Sequence, residues 1–199
     1  MKAGIVDYRT GNLASVSKAL ERAGAQTVIS DDAADLDECD LLVLPGVGNF
    51  SAGMRNLLQL DLAGFVTGWA RAERPLLGIC LGMQLLFEES EEGSSKGLGI
   101  IPGKVVKLDG SVKVPHMGWN TIEAIGGSRL FGEFSGRSFY FVHSYVCSPT
   151  VLNAGASTTY GQGFASAVEY ENTCGVQFHP EKSSTDGLAL LKQILASVA

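Results

Sequence analysis

Two short stretches hold the residue types that could do covalent chemistry. Gly78-Ile79-Cys80-Leu81-Gly82 sets a thiol between two glycines, and Gln177-Phe178-His179-Pro180-Glu181 sets an imidazole two residues from a carboxylate. The first lies between a short apolar run at 76–79 and an amphipathic stretch at 82–89. That context makes it a nucleophile elbow with sulfur in place of oxygen. The glycines permit a sharp strand-to-helix turn, and the turn presents Sγ at the sheet edge. A helix N-terminus behind the sulfur favours its anionic form. The N–H of Leu81 would be free to face a developing oxyanion. The competing reading is a buried structural cysteine, a common fate of this residue type. Cys39, Cys147 and Cys174 lack the elbow context and take that structural reading.

A thiol that attacks near neutral pH needs a base. The sequence offers His116, His143 and His179. Pro180 biases His179 toward an extended backbone. In an extended segment residues two apart share a side, which would put Glu181 beside the imidazole. The carboxylate would fix the tautomer and stabilise the imidazolium, leaving the other ring nitrogen for the thiol. His116 and His143 have no neighbouring carboxylate, so structural or binding roles suit them. Cys80 and His179 are far apart in sequence. Both end expected strands, at the edge where open α/β sheets build their sites.

A third stretch, Pro45-Gly46-Val47-Gly48-Asn49-Phe50, also follows an apolar run. It is a poor dinucleotide fingerprint, since Ser51 stands where a third glycine belongs. Two readings stay open. Gly46 and Gly48 could let a backbone N–H approach a substrate carbonyl, as a second oxyanion donor opposite Leu81, or the stretch is an ordinary tight turn.

The elements that must position these groups follow from periodicity. Apolar runs at 3–6, 27–29, 41–44 and 76–79 read as buried strands. Helices are expected from Asn12 to Gly24, with Leu13, Val16 and Leu20 on the apolar face, and over 57–70 and 82–89. Strand alternating with helix is the pattern of a parallel sheet covered on both faces. Beyond residue 100 the pattern changes to close-spaced strands at 105–108, 138–142, 154–160, 164–170 and 175–178, with 144–147 extending the second. A helix opened by Ser184 or Thr185 ends the chain. The expectation is a single three-layer α/β domain over residues 1–199. Its central sheet would be mixed and largely parallel, with helices on both faces and antiparallel strands in the C-terminal half.

Composition narrows the function. Of 199 residues 45% are apolar and 18% charged, a globular balance rather than a disordered one. A net charge of −6 argues against nucleic acid or an anionic membrane as partner. The cysteines form no C-x-x-C pair and histidines number three, so no metal site is expected. Without an evident secretory signal or spanning segment, a reduced, cytoplasmic setting is expected. The acidic run Glu88-Glu89-Ser90-Glu91-Glu92 reads as a solvated face.

The combination G-x-C-x-G-x-Q, here Gly78 to Gln84, with H-P-E, here His179 to Glu181, resembles the class I (triad) glutamine amidotransferases. More narrowly the chain resembles the glutaminase subunits of imidazole glycerol phosphate synthases, in histidine biosynthesis. The stretches Asp7-Tyr8-Arg9-Thr10-Gly11-Asn12-Leu13, Pro45 to Phe50, Pro115-His116-Met117-Gly118-Trp119-Asn120 and Gln177 to Ser183 carry that likeness. The resemblance implies that Cys80 attacks the amide of glutamine, His179 moves the proton and Glu181 orients His179. Leu81 and the strand Gly46-Val47-Gly48 would hold the oxyanion. Gln84 and the backbone around His143, Ser144 and Tyr145 would grip the amino-acid end. No cofactor is implied. Ammonia would pass to a (β/α)8-barrel synthase subunit that makes imidazole glycerol phosphate and aminoimidazole carboxamide ribotide. Asn12, Met117, Trp119, Asn120 and Lys182 would face that subunit. The alternatives are a glutaminase serving anthranilate, aminodeoxychorismate or pyridoxal phosphate synthase, a thiol hydrolase on a similar fold, and a non-catalytic amidotransferase-like binding protein.

Overall fold

The structure, a computed structural model, describes residues 1–149 and 154–198. The N-terminal half runs β1 (Lys2–Val6), α1 (Leu13–Ala23), β2 (Gln26–Ser30), α2 (Ala33–Asp37), β3 (Leu41–Leu44), α3 (Phe50–Gln59), α4 (Leu62–Arg71), β4 (Leu76–Ile79) and α5 (Leu81–Leu85). The second half is mostly strand. It runs β5 (Phe87–Ser90), β6 (Ser95–Lys96), β7 (Ile101–Lys107), β8 (His116–Thr121), β9 (Glu123–Ala124), β10 (Ser138–His143), β11 (Tyr145–Pro149), β12 (Ala154–Tyr160), β13 (Gln162–Tyr170), β14 (Thr173–Val176) and α6 (Ser184–Val198).

The strands β2, β1, β3, β4 and β14 lie side by side and parallel. Strand β13 then pairs antiparallel with β14, and β11, β7, β5 and β6 continue the sheet. All four residues of β3, β4 and β14 are buried, as a strand covered on both faces demands. On one face Val16 and Leu20 of α1 and Leu190, Leu191 and Ile194 of α6 pack over Ile5, Val43 and Ile79. On the other, Leu36, Phe50, Leu57, Val66 and Trp69 from α2, α3 and α4 cover Val6, Leu42 and Leu44. These two clusters are the energetic basis of the three layers. Truncating a sealed core leucine such as Leu20 to alanine costs about 2–5 kcal/mol.

Local signals fix several boundaries. Asn12 Oδ1 accepts from Ser15 N at 3.2 Å and caps α1, and Gly24 closes the helix at φ 110°. Three expectations need correction. The helix expected over 57–70 is two helices, because Asp61 sits at φ 56° and breaks the run. The helix expected over 82–89 stops at Leu85, because Phe87–Ser90 pairs in parallel with β7. Residues 145–149 do not extend the strand before them. They form β11 of the main sheet, while β10 pairs with β8 in a separate two-stranded ribbon. Strand β8 itself was not expected.

Candidate active site

Strands β4 and β14 are parallel neighbours, with Ile79 opposite Val176, so the segments that follow them emerge at one sheet edge. Cys80 begins one segment and His179 lies on the other. Cys80 is a non-glycine residue at φ 53°, a backbone state that costs about 1–3 kcal/mol and persists only where the surroundings enforce it. The enforcement is visible. Cys80 N donates to Val176 O at 2.7 Å. A Cβ on Gly78 would come within 2.8 Å of the Met83 backbone, and one on Gly82 would collide with the Leu44 carbonyl. The two glycines of the motif are therefore required by close approach of backbone to backbone.

His179 is fixed from three sides. Its N–H donates to Tyr140 O at 2.9 Å, its carbonyl accepts from Ser183 Oγ at 2.6 Å, and its Nδ1–H donates to Glu181 Oε1 at 2.7 Å. The expected neighbour is in place, but the geometry that places it differs. Only His179 is extended; Pro180–Lys182 is a 3-10 turn, and that turn swings Glu181 back to the ring. Both side chains are almost sealed from solvent, at 2% and 3% exposure. Burial alone would lower the imidazole's pKa. The Cys80 sulfur and the Glu181 carboxylate outweigh it and push His179 up to about 9. Nε2 has no hydrogen-bond partner other than the Cys80 sulfur beside it.

A cleft of about 290 Å³ opens over Cys80. Val47, Gly48, Leu81, Gln84, Val142, His143, Ser144 and Tyr145 line it with Cys80. Gly46 does not line it; it packs behind, against Leu81 and Tyr8. The Tyr8 hydroxyl, fully buried, donates to the Pro45 carbonyl and so ties the end of β1 to the glycine loop. Gln84 turns its amide nitrogen to Tyr145 O and to Gln177 Oε1, both at 3.1 Å, and acts as a brace for the cleft wall. The Gln177 amide nitrogen lies 3.8 Å from Cys80 Sγ.

Sequence reasoning missed Glu92. The acidic run is not a uniform solvated face. Glu88 accepts from Gly103 N at 2.8 Å, Glu91 from Lys107 N at 3.0 Å, and Glu92 from Phe50 N at 2.7 Å. The last contact places the Glu92 side chain on the cleft, as the one carboxylate among its lining residues. The linear sequence held no sign of which glutamate would reach the cleft.

Of the remaining residues singled out, Asn12, Met117, Trp119 and Lys182 are exposed, with Met117 at 62% and Trp119 at 56%. Trp119 is therefore not core. Asn120 is half-buried and its amide turns inward, to His116 and Thr159. Cys39, Cys147 and Cys174 are buried, and burial raises the pKa of each thiol. Another cleft, about 320 Å³, lies at the opposite end of β4 and β14. Its half-buried carboxylate, Glu169, is occupied by Ser128 Oγ and the N–H groups of Arg129 and Leu130. Among the described residues no helix is long and apolar enough to cross a membrane.

Residues 5–197 match the family described as glutamine amidotransferase class-I. The chain is 46% identical to imidazole glycerol phosphate synthase subunit HisH of Bacillus velezensis, over 98% of this chain and 96% of that protein. The HisH subunit of Methanopyrus kandleri is 45% identical over 100% of both chains. That of Bacillus subtilis is 46% identical, over 98% of this chain and 96% of that one. Among solved structures, PurLQS from Thermotoga maritima superposes with a TM-score of 0.77 at 19% identity, covering 100% of this chain and 99% of that one. A structure titled as a glutamine amidotransferase gives 0.74 at 19% identity, over 96% and 98% of the two chains. At such identities these neighbours attest the fold.

Proposed function

The chain belongs to the class-I glutamine amidotransferases, and among them to the glutaminase subunits of imidazole glycerol phosphate synthase, and we propose that it frees ammonia from glutamine through a thioester on Cys80. The observation that carries the assignment is the meeting of a strained, buried Cys80 with a His179 held at 2.7 Å by Glu181 on the same sheet edge.

In this reading the thiol proton rests on His179 Nε2, whose raised pKa keeps the ring charged, while Sγ bonds to the amide carbon. Leu81 N–H, first in its helix and without an intrahelical acceptor, faces the oxyanion, and the Val47-Gly48 stretch supplies the second donor. His179 returns the proton to the leaving nitrogen, and ammonia departs. Water, its proton taken by His179, then cleaves the thioester to glutamate and restores the thiol. Glu181 keeps the Nδ1–H tautomer throughout. Glu92 pairs with the α-ammonium group. The wall at Ser144 and Tyr145, braced by Gln84, receives the rest of the amino-acid end.

Ammonia released into neutral water becomes ammonium, which is no nucleophile, so the product needs a sheltered route. The chain works with a partner subunit of the synthase. We infer that this partner is a (β/α)8 barrel, that it seats on the face carrying Asn12, Met117, Trp119, Asn120 and Lys182, and that the setting is cytoplasmic. Seating completes the second oxyanion donor, which limits wasteful hydrolysis in the free subunit.

A chloroketone analogue of glutamine tests the site. It labels Cys80 alone, glutamine protects against it, and Cys80→Ala abolishes the label. Labelling of Cys39, Cys147 or Cys174 in place of Cys80 would overturn the assignment.

A further inference from the structure

An unbroken line of hydrogen bonds runs under the β8–β10 ribbon to the glutamine cleft. Asn120 Nδ2 donates to His116 Nε2 at 3.3 Å, His116 Nδ1 to His143 Nε2 at 2.9 Å, and His143 Nδ1 to the Tyr145 carbonyl at 2.9 Å. Gln84 donates to that same carbonyl.

The two ends set the direction of every proton. A carbonyl only accepts, so His143 carries hydrogen on Nδ1 and presents a bare Nε2. His116 must then donate from Nδ1, and its own Nε2 is bare. The Asn120 amide is oriented to match, since its oxygen accepts from Thr121 N at 2.8 Å and its nitrogen also donates to Thr159 O at 3.1 Å. Each imidazole is thus neutral and held in one tautomer. The surroundings agree. His116 is stacked between Tyr160, 4.0 Å between centroids, and Phe141, 4.9 Å, and Phe164 lies edge-on to both histidines. Burial lowers the pKa of His116. Burial, and then the neighbouring His116, bring His143 down to about 3.

An aromatic cluster of this kind would pack as well with phenylalanine in place of histidine. What phenylalanine would not do is put a donor on the Tyr145 carbonyl, at the wall of the cleft. We propose that His116 and His143 are positioning residues for glutamine: they clamp the Tyr145 carbonyl, and with it the Ser144-Tyr145 wall and the Gln84 brace, in the orientation that receives the amino-acid end. The proposal rests on the glutaminase reading above. Cys80 and His179 lie outside the line, so the clamp acts on binding of the amino acid and not on thiol reactivity.

The test uses the complex with the partner subunit and its ribotide ligand. Glutamate release gives KM and kcat, and iodoacetamide, which needs no amino-acid site, reports Cys80 reactivity. His116→Phe raises KM for glutamine about tenfold, the effect of about 1.4 kcal/mol, with kcat and the alkylation rate within about threefold of wild type. His116→Asn, whose amide nitrogen can stand where Nδ1 stood, brings KM back to within about threefold. Asn120→Ala, which removes the far donor together with the bonds to Thr159 and Thr121, raises KM about threefold at saturating partner subunit and serves if His116→Phe does not fold. An unchanged KM in His116→Phe, or in Asn120→Ala where that variant stands in for it, overturns the proposal. So does an elevated KM that His116→Asn fails to restore, or a parallel fall in kcat and alkylation, the mark of general structural damage. A wild-type complex that releases no glutamate is a different result: it overturns the glutaminase reading and the proposal with it.

Discussion

His179 Nδ1–H points at Glu181 Oε1 across 2.7 Å, in a place where both side chains are almost closed off from water. A carboxylate in that position does two things: it fixes the tautomer and it stabilises the charged ring. Glu181→Gln keeps the shape and removes the charge. Glutamate release falls by about 10²–10⁴-fold, while the variant stays folded. Steady-state kinetics on the complex check this, and a loss below threefold would place Glu181 outside the mechanism.

The raised pKa of His179, about 9, sets an alkaline limb. The sign follows from its direction. A histidine whose folded value exceeds its unfolded value of about 6.5 adds stability that is full below 6.5 and lost as pH rises through about 9. Turnover shares that limb, because the leaving nitrogen must receive a proton from the imidazolium. Alkylation of the sulfur needs no such proton. Turnover therefore declines above about pH 9 while iodoacetamide labelling of Cys80 does not. Two limbs that fall together would contradict this division.

Glu92 is the charged group on the cleft wall. Glu92→Gln retains an oxygen for Phe50 N and loses the ion pair with the substrate ammonium. A charge-assisted hydrogen bond of about 1.5–3 kcal/mol gives a rise in KM for glutamine of roughly 10–100-fold with little change in kcat. Kinetics with glutamine, and with an analogue lacking the α-amino group, separate this from a general loss of the cleft. The analogue responds equally poorly to wild type and variant.

Tyr8 and Pro45 join the end of β1 to the loop that faces the nucleophile. Tyr8→Phe keeps the ring in its buried site and leaves the Pro45 carbonyl without a donor. The expected cost is about 1–3 kcal/mol, read as a lower urea midpoint at unchanged slope.

Much of the chemistry could be read from residue types because backbone contacts demand them. Gly78 and Gly82 leave no room for a Cβ, so the elbow shows in the sequence. Strands β3 and β4, buried on both faces, show as unbroken apolar runs. What depends on distant partners did not show. Phe87–Ser90 continues an amphipathic pattern and becomes a strand only because β7 lies alongside. Strand β8 has no alternation to announce it, with Gly118, Trp119 and Asn120 in a row, and forms by pairing with β10. Asp61 breaks a helix by a backbone state that composition does not encode. Glu92 reads as one of four equivalent glutamates, and only its place on the cleft sets it apart.

Trp119 stands 56% exposed on the β8–β10 ribbon, edge to face with Tyr140, whose carbonyl holds His179 N–H. We infer that an aromatic so placed anchors the interface with the partner subunit. Trp119→Ala then weakens binding of that subunit by about 2 kcal/mol or more, roughly 30-fold in Kd, as titration calorimetry would show. Unchanged affinity would move the interface elsewhere.

The most direct test is glutamate release by the purified chain alone, then with the synthase's partner subunit and that subunit's substrate, with Cys80→Ala as control. Release is low for the chain alone, rises steeply with the partner and its substrate, and is absent from Cys80→Ala. Strong Cys80-dependent release from the isolated chain, unmoved by the partner, would contradict the claim that the site is completed by the subunit it serves.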